Sequence, residues 1–170
     1  RSRRMMLAPR VSVIVSTRNR GPSLGRSLEY FAAATPRVPW ELVVVNNGST
    51  DDTARVLSEF RSGATMDVVR VDEPRPGLSR ARNTGWRAAR GELICFTDDD
   101  CYVAPDYIDA IAAVFEPPEL GYVGGRVLLF DPADAPITIQ LSEERREFPA
   151  RSYIPPGVIV MPRSAPPVLT

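Results

Sequence analysis

The segment Glu92–Cys101, ELICFTDDDC, runs from a short apolar stretch straight into three adjacent carboxylates. Leu93–Phe96 has the length and continuity of a strand buried on both faces. Like charges packed side by side repel, so an isolated Asp-Asp-Asp reads as a solvated turn leading to a helix near Asp106. At the end of a buried strand the reading reverses. Hard carboxylate oxygens are then placed where a cation can collect them.

Outward from this segment the same pattern recurs. Val11–Ser16 (VSVIVS) and Glu41–Val45 (ELVVV) are β-branched runs that read as buried strands, and Asp67–Val71 (DVVRV) alternates like a strand near a sheet edge. Between them, Leu24, Leu28 and Phe31 recur at helical spacing, with Ser23 as N-cap and Thr35-Pro36 as stop. A second helix carries Val56, Leu57 and Phe60, with Asp51 and Asp52 in its first turn. The loop DEPRPG leads into LSRARNTGWRAARG, whose Leu78, Ala81, Gly85 and Ala88-Ala89 form a small-residue face for close packing on a sheet, with Gly91 as C′ stop. Pro105 and Asp106 open a further helix through Phe115, and Tyr122–Phe130 reads as a fifth strand.

Alternating strands and helices predict an α/β fold with a mostly parallel sheet covered on both faces. Ligands in such folds sit beyond the carboxyl ends of the strands. Ser16–Arg20, Asn46–Asp51 and Asp98–Asp100 all fall at those ends, so three polar segments converge on one crevice.

The 170 residues suffice for one domain with a real core. Arg and acidic residues balance at 21 each, so no overall field favours nucleic acid. Every basic residue is Arg. With no histidine in the chain, Ser-His-Asp and Cys-His catalysis and imidazole metal sites are excluded. Cys95 and Cys101 are too few for a zinc site or disulfide framework and suit a reducing cytoplasm. Cys95 is expected to point into packing. No apolar run approaches the roughly 18 residues of a membrane span. The basic start RSRRMMLAPR reads as a leader too short in apolar residues for a signal peptide. The Pro-rich last forty residues, with the charged patch SEERREFPAR, show little periodicity, and MPRSAPPVLT carries no helix or strand signature.

Three segments carry candidate chemistry. Asp98 and Asp100 share one side if extended geometry continues, and so serve one cation, or a cation and a sugar hydroxyl. Asn46 and Asn47 place amides, which both donate and accept, at a strand end where a nucleobase edge suits them. In RPGLSRARNTG, Gly77 lets backbone approach a ligand, and Arg80 and Arg82 are in reach of a diphosphate. Neither the P-loop pattern nor the dinucleotide-binding glycine pattern is present.

Taken together and in order, VSVIVSTRNR, ELVVVNNGSTDDT and GLSRARNTGWRAARGELICFTDDDCY resemble the family 2 glycosyltransferases of GT-A fold over about residues 10–130. The resemblance implies a Rossmann-like three-layer sandwich with a mostly parallel central sheet. It implies inverting transfer of a sugar from a UDP-, GDP- or dTDP-sugar to a carbohydrate or lipid-linked acceptor, in cell-wall or polysaccharide biosynthesis. Ser16, Thr17 and Arg18 would line the base and ribose pocket, and Asn47 would contact the base. Asn46 stands where the family more often has Asp. Gly77, Arg80, Arg82 and Asn83 correspond to the stretch beside the donor phosphates. Asp98 and Asp100 match the DxD element, which holds Mn2+ or Mg2+, with Asp99 a further donor contact.

No protein nucleophile is needed, because a metal and arginines can neutralise a departing nucleoside diphosphate. The base for the acceptor hydroxyl comes in the family from the second half of the domain, often in a Glu-Asp pair, and this chain has no such dipeptide. The expected organisation is a leader (1–10), a nucleotide-sugar-binding domain (11–130) and an incomplete start of the acceptor side (131–170), a truncated chain holding the donor site. A cytoplasmic location, with peripheral association at the inner face of the membrane, is the accompanying expectation. The alternatives are a nucleotidyltransferase, which also places Asp pairs at strand ends, and a non-catalytic nucleotide-binding module.

Overall fold

Four apolar runs become parallel strands: β1 (Val11–Thr17), β2 (Trp40–Asn46), β3 (Asp67–Asp72) and β4 (Leu93–Asp98). The computed structural model describes residues 8–116, 120–125, 127–131, 133 and 159–162, the last four as backbone only. Helices α1 (Gly21–Ala33), α2 (Thr53–Gly63) and α3 (Leu78–Ala88) connect the strands, and α4 (Tyr107–Val114) follows β4. Two short strands, β5 (Val123–Gly124) and β6 (Ile159–Pro162), complete a six-stranded sheet of order β3-β2-β1-β4-β6-β5. β6 runs antiparallel to both β4 and β5.

Side-chain alternation explains the layers. Val11, Val13, Val15, Leu42, Val44, Leu93 and Cys95 pack with α1, α2 and α4 on one face, while Ile14, Val43, Val45, Ile94 and Phe96 meet α3 on the other. Both sets are apolar, which is why each strand reads as a continuous hydrophobic run. The edge position expected of Asp67–Val71 is where β3 lies. Cys95 is fully buried beside the Tyr107 hydroxyl, and burial pushes its thiol up to about 12.

Several local expectations are corrected. Ser23 lies inside α1, whose N-cap is Arg20, and its hydroxyl donates to the Asp99 carbonyl instead. Asp51 and Asp52 precede α2 rather than occupying its first turn: Asp52 is the N-cap residue, and Asp51 accepts from the Thr53 amide and hydroxyl and from Gly21 N. Two helix starts thus share one carboxylate. α3 ends at Ala88 with Ala89 as an extended C-cap residue, and Gly91 instead packs against the Ser12 backbone. Leu78 does not join the sheet-facing side and is 53% exposed.

The fifth strand is two residues rather than Tyr122–Phe130, and the first two residues of MPRSAPPVLT belong to β6. A four-residue strand rich in neither alternation nor turn signals is set by its pairing to β4 and β5, which local sequence does not report. Residues 1–7 of the expected leader and SEERREFPAR lie outside the described residues.

Two packing features hold the layers. A Cβ added at Gly85 would stand 2.5 Å from Ile14 Cγ2 and 2.9 Å from Val45 Cγ2. Both atoms are branch methyls next to the backbone and cannot swing aside. α3 therefore lies on β1 and β2 at a distance that only glycine permits. At the amino end of the sheet, the fully buried Glu41 carboxylate accepts from Ser12 Oγ at 2.6 Å, from the Arg90 amide at 2.6 Å and from Arg90 Nε at 2.8 Å. Arg90 also pairs with Asp67, and Ser12 Oγ accepts from Gly91 N at 2.8 Å. One network thus joins β1, β2, β3 and the approach to β4.

Gly85→Ala is expected to destabilise by about 1–3 kcal/mol through overpacking, although alanine favours the helix; the midpoint of urea unfolding measures it. Glu41→Gln keeps the volume but loses the charged acceptor, and a loss of roughly 2 kcal/mol in the same assay is expected.

Candidate functional site

Sheet order reverses between β1 and β4, since β1 continues to β2 on one side and β4 joins it on the other. At that switch point the polar segments that follow the two paired strands border a crevice. A cavity of about 450 Å³ lies there, lined by Ser16, Thr17, Arg18, Arg20, Asn47, Gly77, Leu78, Ala81, Asp98, Asp99 and Asp100. Register places Ser16 opposite Asp98 and Thr17 opposite Asn46. All three converging segments contribute.

The acidic triplet leaves extended geometry at once. β4 ends at Asp98, and Asp99-Asp100 form a turn. Exposure still alternates: the Asp98 and Asp100 side chains are half exposed, whereas that of Asp99 is 6% exposed. Asp99 Oδ2 accepts from Thr17 Oγ1 at 2.6 Å, and Arg20 Nε lies 3.2 Å from Oδ1. Burial raises the Asp99 carboxyl above the ordinary aspartate range, against the opposing pull of the Thr17 hydroxyl and the Arg20 charge. Arg20 Nη2 also donates to Asp100 Oδ2 at 2.8 Å, and Arg82 Nη2 donates to Asp98 Oδ1 at 3.2 Å. Every carboxylate of the triplet therefore has a guanidinium partner.

Arg20 was not singled out from the sequence. Its position depends on Asn19, which adopts a left-handed conformation (φ 53°), one that asparagine tolerates better than most residues. The Asn19 amide oxygen accepts from Thr50 N, and the Arg20 amide donates to Thr53 Oγ1. The loop after β1 is thus pinned to the start of α2, and Arg20 is turned toward the triplet.

Of the two asparagines, Asn47 builds the opposite wall. Asn47 donates to the carbonyls of Glu73 (2.9 Å) and Arg75 (2.7 Å) and accepts from Gly77 N (2.8 Å). Its amide clasps the loop between β3 and α3. Asn46 is turned away from the cavity, bonded to Asp72 Oδ1 and Ser49 N. Glu73 fixes the same loop from the α3 side, accepting from Thr84 Oγ1 and from Arg75 N. Those bonds, Arg75 N–H first, hold its carboxyl below the ordinary glutamate value.

The loop ends at Gly77, whose φ of 142° strains any other residue. No side chain caps the amino end of α3, so its free first-turn N–H groups give an anion a favourable place. Ser16 Oγ, on the cavity floor, is buried without a hydrogen-bond partner among the described residues.

Of the residues expected at the site, Ser16, Thr17, Arg18, Asn47, Gly77, Asp98, Asp99 and Asp100 line the cavity, and Arg82 borders it through Asp98. Arg80 and Asn83 do not line it, and Asn46 does not reach it. Among the described residues no three His, Cys, Asp or Glu side chains gather into a metal cage.

The sequence model of glycosyl transferase family 2 matches residues 12–162. The chain belongs to glycosyl transferase family 2. Glycosyltransferase AglE of Haloferax volcanii is 28% identical over 120 residues, which are 70% of this chain and 40% of AglE. Among solved structures, the mannosyltransferase PcManGT from Pyrobaculum calidifontis, in complex with GDP-Man and Mn2+, is 30% identical with a TM-score of 0.60. That match covers 69% of this chain and 35% of PcManGT. Residues 1–349 of Staphylococcus aureus TarS, in complex with UDP-GlcNAc, are 26% identical with a TM-score of 0.58, over 71% of this chain and 37% of that fragment. The chain thus spans well under half the length of these relatives. The fold is GT-A, and the cavity is where this family 2 domain opens its strand ends.

Glu73 supplies a pH test of the clasp. Its folded-state pKa is depressed, so the stability it lends is present above the ordinary value of 4.5 and is lost as pH falls through the folded value. Glu73→Gln should lower the melting temperature at pH 7, and the gap to the wild type should narrow steadily once pH drops below 4.5.

Proposed function

We propose that the cavity binds a nucleoside-diphosphate sugar with a divalent cation, and that the chain carries the donor side of an inverting glycosyl transfer to an acceptor hydroxyl. The observation that carries this reading is the pairing of two half-exposed carboxylates, Asp98 and Asp100, with two arginines around one cavity. PcManGT and TarS bind GDP-Man and UDP-GlcNAc in the same fold.

In this reading the nucleoside lies along Asn47, Gly77 and Leu78, where the exposed Leu78 side chain offers an apolar surface to the base. Asn47 acts by holding the loop that forms this wall, since its amide is already committed to that loop. Arg18 and the unpartnered Ser16 hydroxyl face the ribose side. The diphosphate points at the free amino end of α3 and at Arg20 and Arg82, with Arg80 at the outer edge.

The donor set fits a hard divalent cation. Two carboxylates that are half exposed and already in exchangeable ion pairs suit Mn2+ or Mg2+, which complete their shells with water and substrate phosphate. Asp98 and Asp100 would hold it, and when bound it neutralises charge on the departing diphosphate. Arg20 and Arg82, released from the carboxylates, turn their N–H groups to the phosphate oxygens. Asp99, buried on Thr17, keeps the turn in shape. None of the three is assigned as the base that accepts the acceptor proton. The acceptor is a carbohydrate or lipid-linked hydroxyl compound. No helix among the described residues is long and apolar enough to cross a membrane, and the two free thiols agree with a cytoplasmic site of action.

Isothermal titration of UDP, GDP and dTDP, each with Mn2+ and with EDTA, tests the reading. At least one nucleotide should bind with Mn2+ and weaken tenfold or more in EDTA or in Asp100→Ala. Metal-independent binding overturns the cation assignment, and no binding overturns the site. Pyrophosphate release from a nucleoside triphosphate would instead favour nucleotidyl transfer.

A further inference from the structure

Arg20 stands between two carboxylates of different character. Asp99 is 6% exposed at its side chain and fixed by Thr17 Oγ1 at 2.6 Å, whereas Asp100 is half exposed and faces the cavity. The guanidinium reaches Asp99 through Nε at 3.2 Å and Asp100 through Nη2 at 2.8 Å. Its backbone cannot follow the side chain. The amide is bonded to Thr53 Oγ1, the carbonyl accepts from Leu24 N, and the preceding Asn19 is held at both its amide and its side chain by Ser49 and Thr50. The anchor is therefore one-sided. The bond to buried Asp99 compensates a desolvated charge that would be costly to leave alone, while the bond to solvated Asp100 is a weak, exchangeable surface pair.

We propose that Arg20 is an internal counter-cation of the donor site: it pairs with Asp100 in the nucleotide-free protein, and with a divalent cation held by that carboxylate its Nη2 would turn to the donor diphosphate while Nε stays on Asp99. This rests on the donor-site reading above and adds a division of labour to it. Asp99 is the pivot, Asp100 is the exchanged ligand, and Arg20 is a positioning residue that couples cation binding to diphosphate binding. A planar guanidinium offers the two carboxylates separate nitrogens in a fixed fork, so one bond can exchange while the other stays; a lysine ammonium has only one nitrogen for both. The coupling has a definite sign. Without nucleotide, Arg20 competes with the metal; with nucleotide, it assists.

The test measures two affinities on the 170-residue chain, that of Mn2+ alone by electron paramagnetic resonance of free Mn2+, and that of UDP or GDP at saturating Mn2+ by calorimetry. Arg20→Gln should bind Mn2+ alone roughly fivefold tighter, the loss of one surface-type competitor. It should bind the nucleotide about tenfold more weakly, the loss of a charge-assisted bond. Arg20→Lys should fall between the wild type and Arg20→Gln in both.

A purely structural role would weaken both affinities together, and unchanged or weaker Mn2+ binding in Arg20→Gln overturns the proposal. Should Arg20→Gln fail to fold, Asp99→Asn combined with Arg20→Gln removes the buried charge with its partner, and the same opposite-sign pattern is expected. Wild type that binds no nucleotide with Mn2+ overturns the donor-site reading and this proposal with it. Wild type that binds while the sign pattern fails overturns this proposal alone.

Discussion

A carboxylate with no water around it must be answered by donors, and Glu41 imposes that requirement at the amino end of the sheet. It has no exposed surface, and its partners come from two separate pieces of chain: Ser12 on β1, and Arg90 by both backbone and side chain ahead of β4. Arg90 extends the network to Asp67 on β3. A buried charge deprived of its partners is strongly destabilising, so the four strands can align only in the register that brings these groups together. That register also sets the far end. With Ser12 opposite Glu41 and Ile94 opposite Ser12, the parallel ladders deliver Thr17, Asn46 and Asp98 to one rim.

The two ends of the sheet thus treat charge differently. At the amino end, the acceptor is sealed and its bonds are permanent parts of the fold. At the carboxyl end, Asp98 and Asp100 are half exposed and paired with arginines that border open space. Solvent-screened pairs of this kind are worth little to stability and exchange at little cost, which suits a site that must accept and release a charged ligand. Asp99 lies between the two regimes. It is buried like Glu41 but sits on the rim, and it ties the exchangeable pairs to the fixed scaffold through Thr17 and Arg20.

The second wall of the cavity follows from a different constraint, the close approach of α3. Gly85 and Ala81 let that helix lie directly on Ile14 and Val45, so its amino end arrives at the crevice rather than above it. The chain must then leave β3 and enter α3 through a tight loop, and Asn47 and Glu73 satisfy the polar groups that this loop exposes. Two adjacent amides at a strand end read alike in the sequence, yet Asn47 holds a loop and lines the cavity while Asn46 faces Asp72.

The sequence by itself determined the fold class, the parallel strands, the three converging strand ends and the acidic triplet as a candidate cation site. Each of these is written in local terms: continuous apolar runs, helical spacing between them and polar residues at the run ends. Tertiary structure alone decided which carboxylate is buried, which arginine meets it, that β6 pairs antiparallel with β4, and that Asn47 clasps while Arg80 and Asn83 stay outside the cavity. Arg20 and Asp99 are 79 positions apart, and a contact of that separation leaves no periodicity to read. Their meeting depends on β4 adding beside β1 and on Asn19 turning left-handed, which are properties of the assembled sheet and its loops.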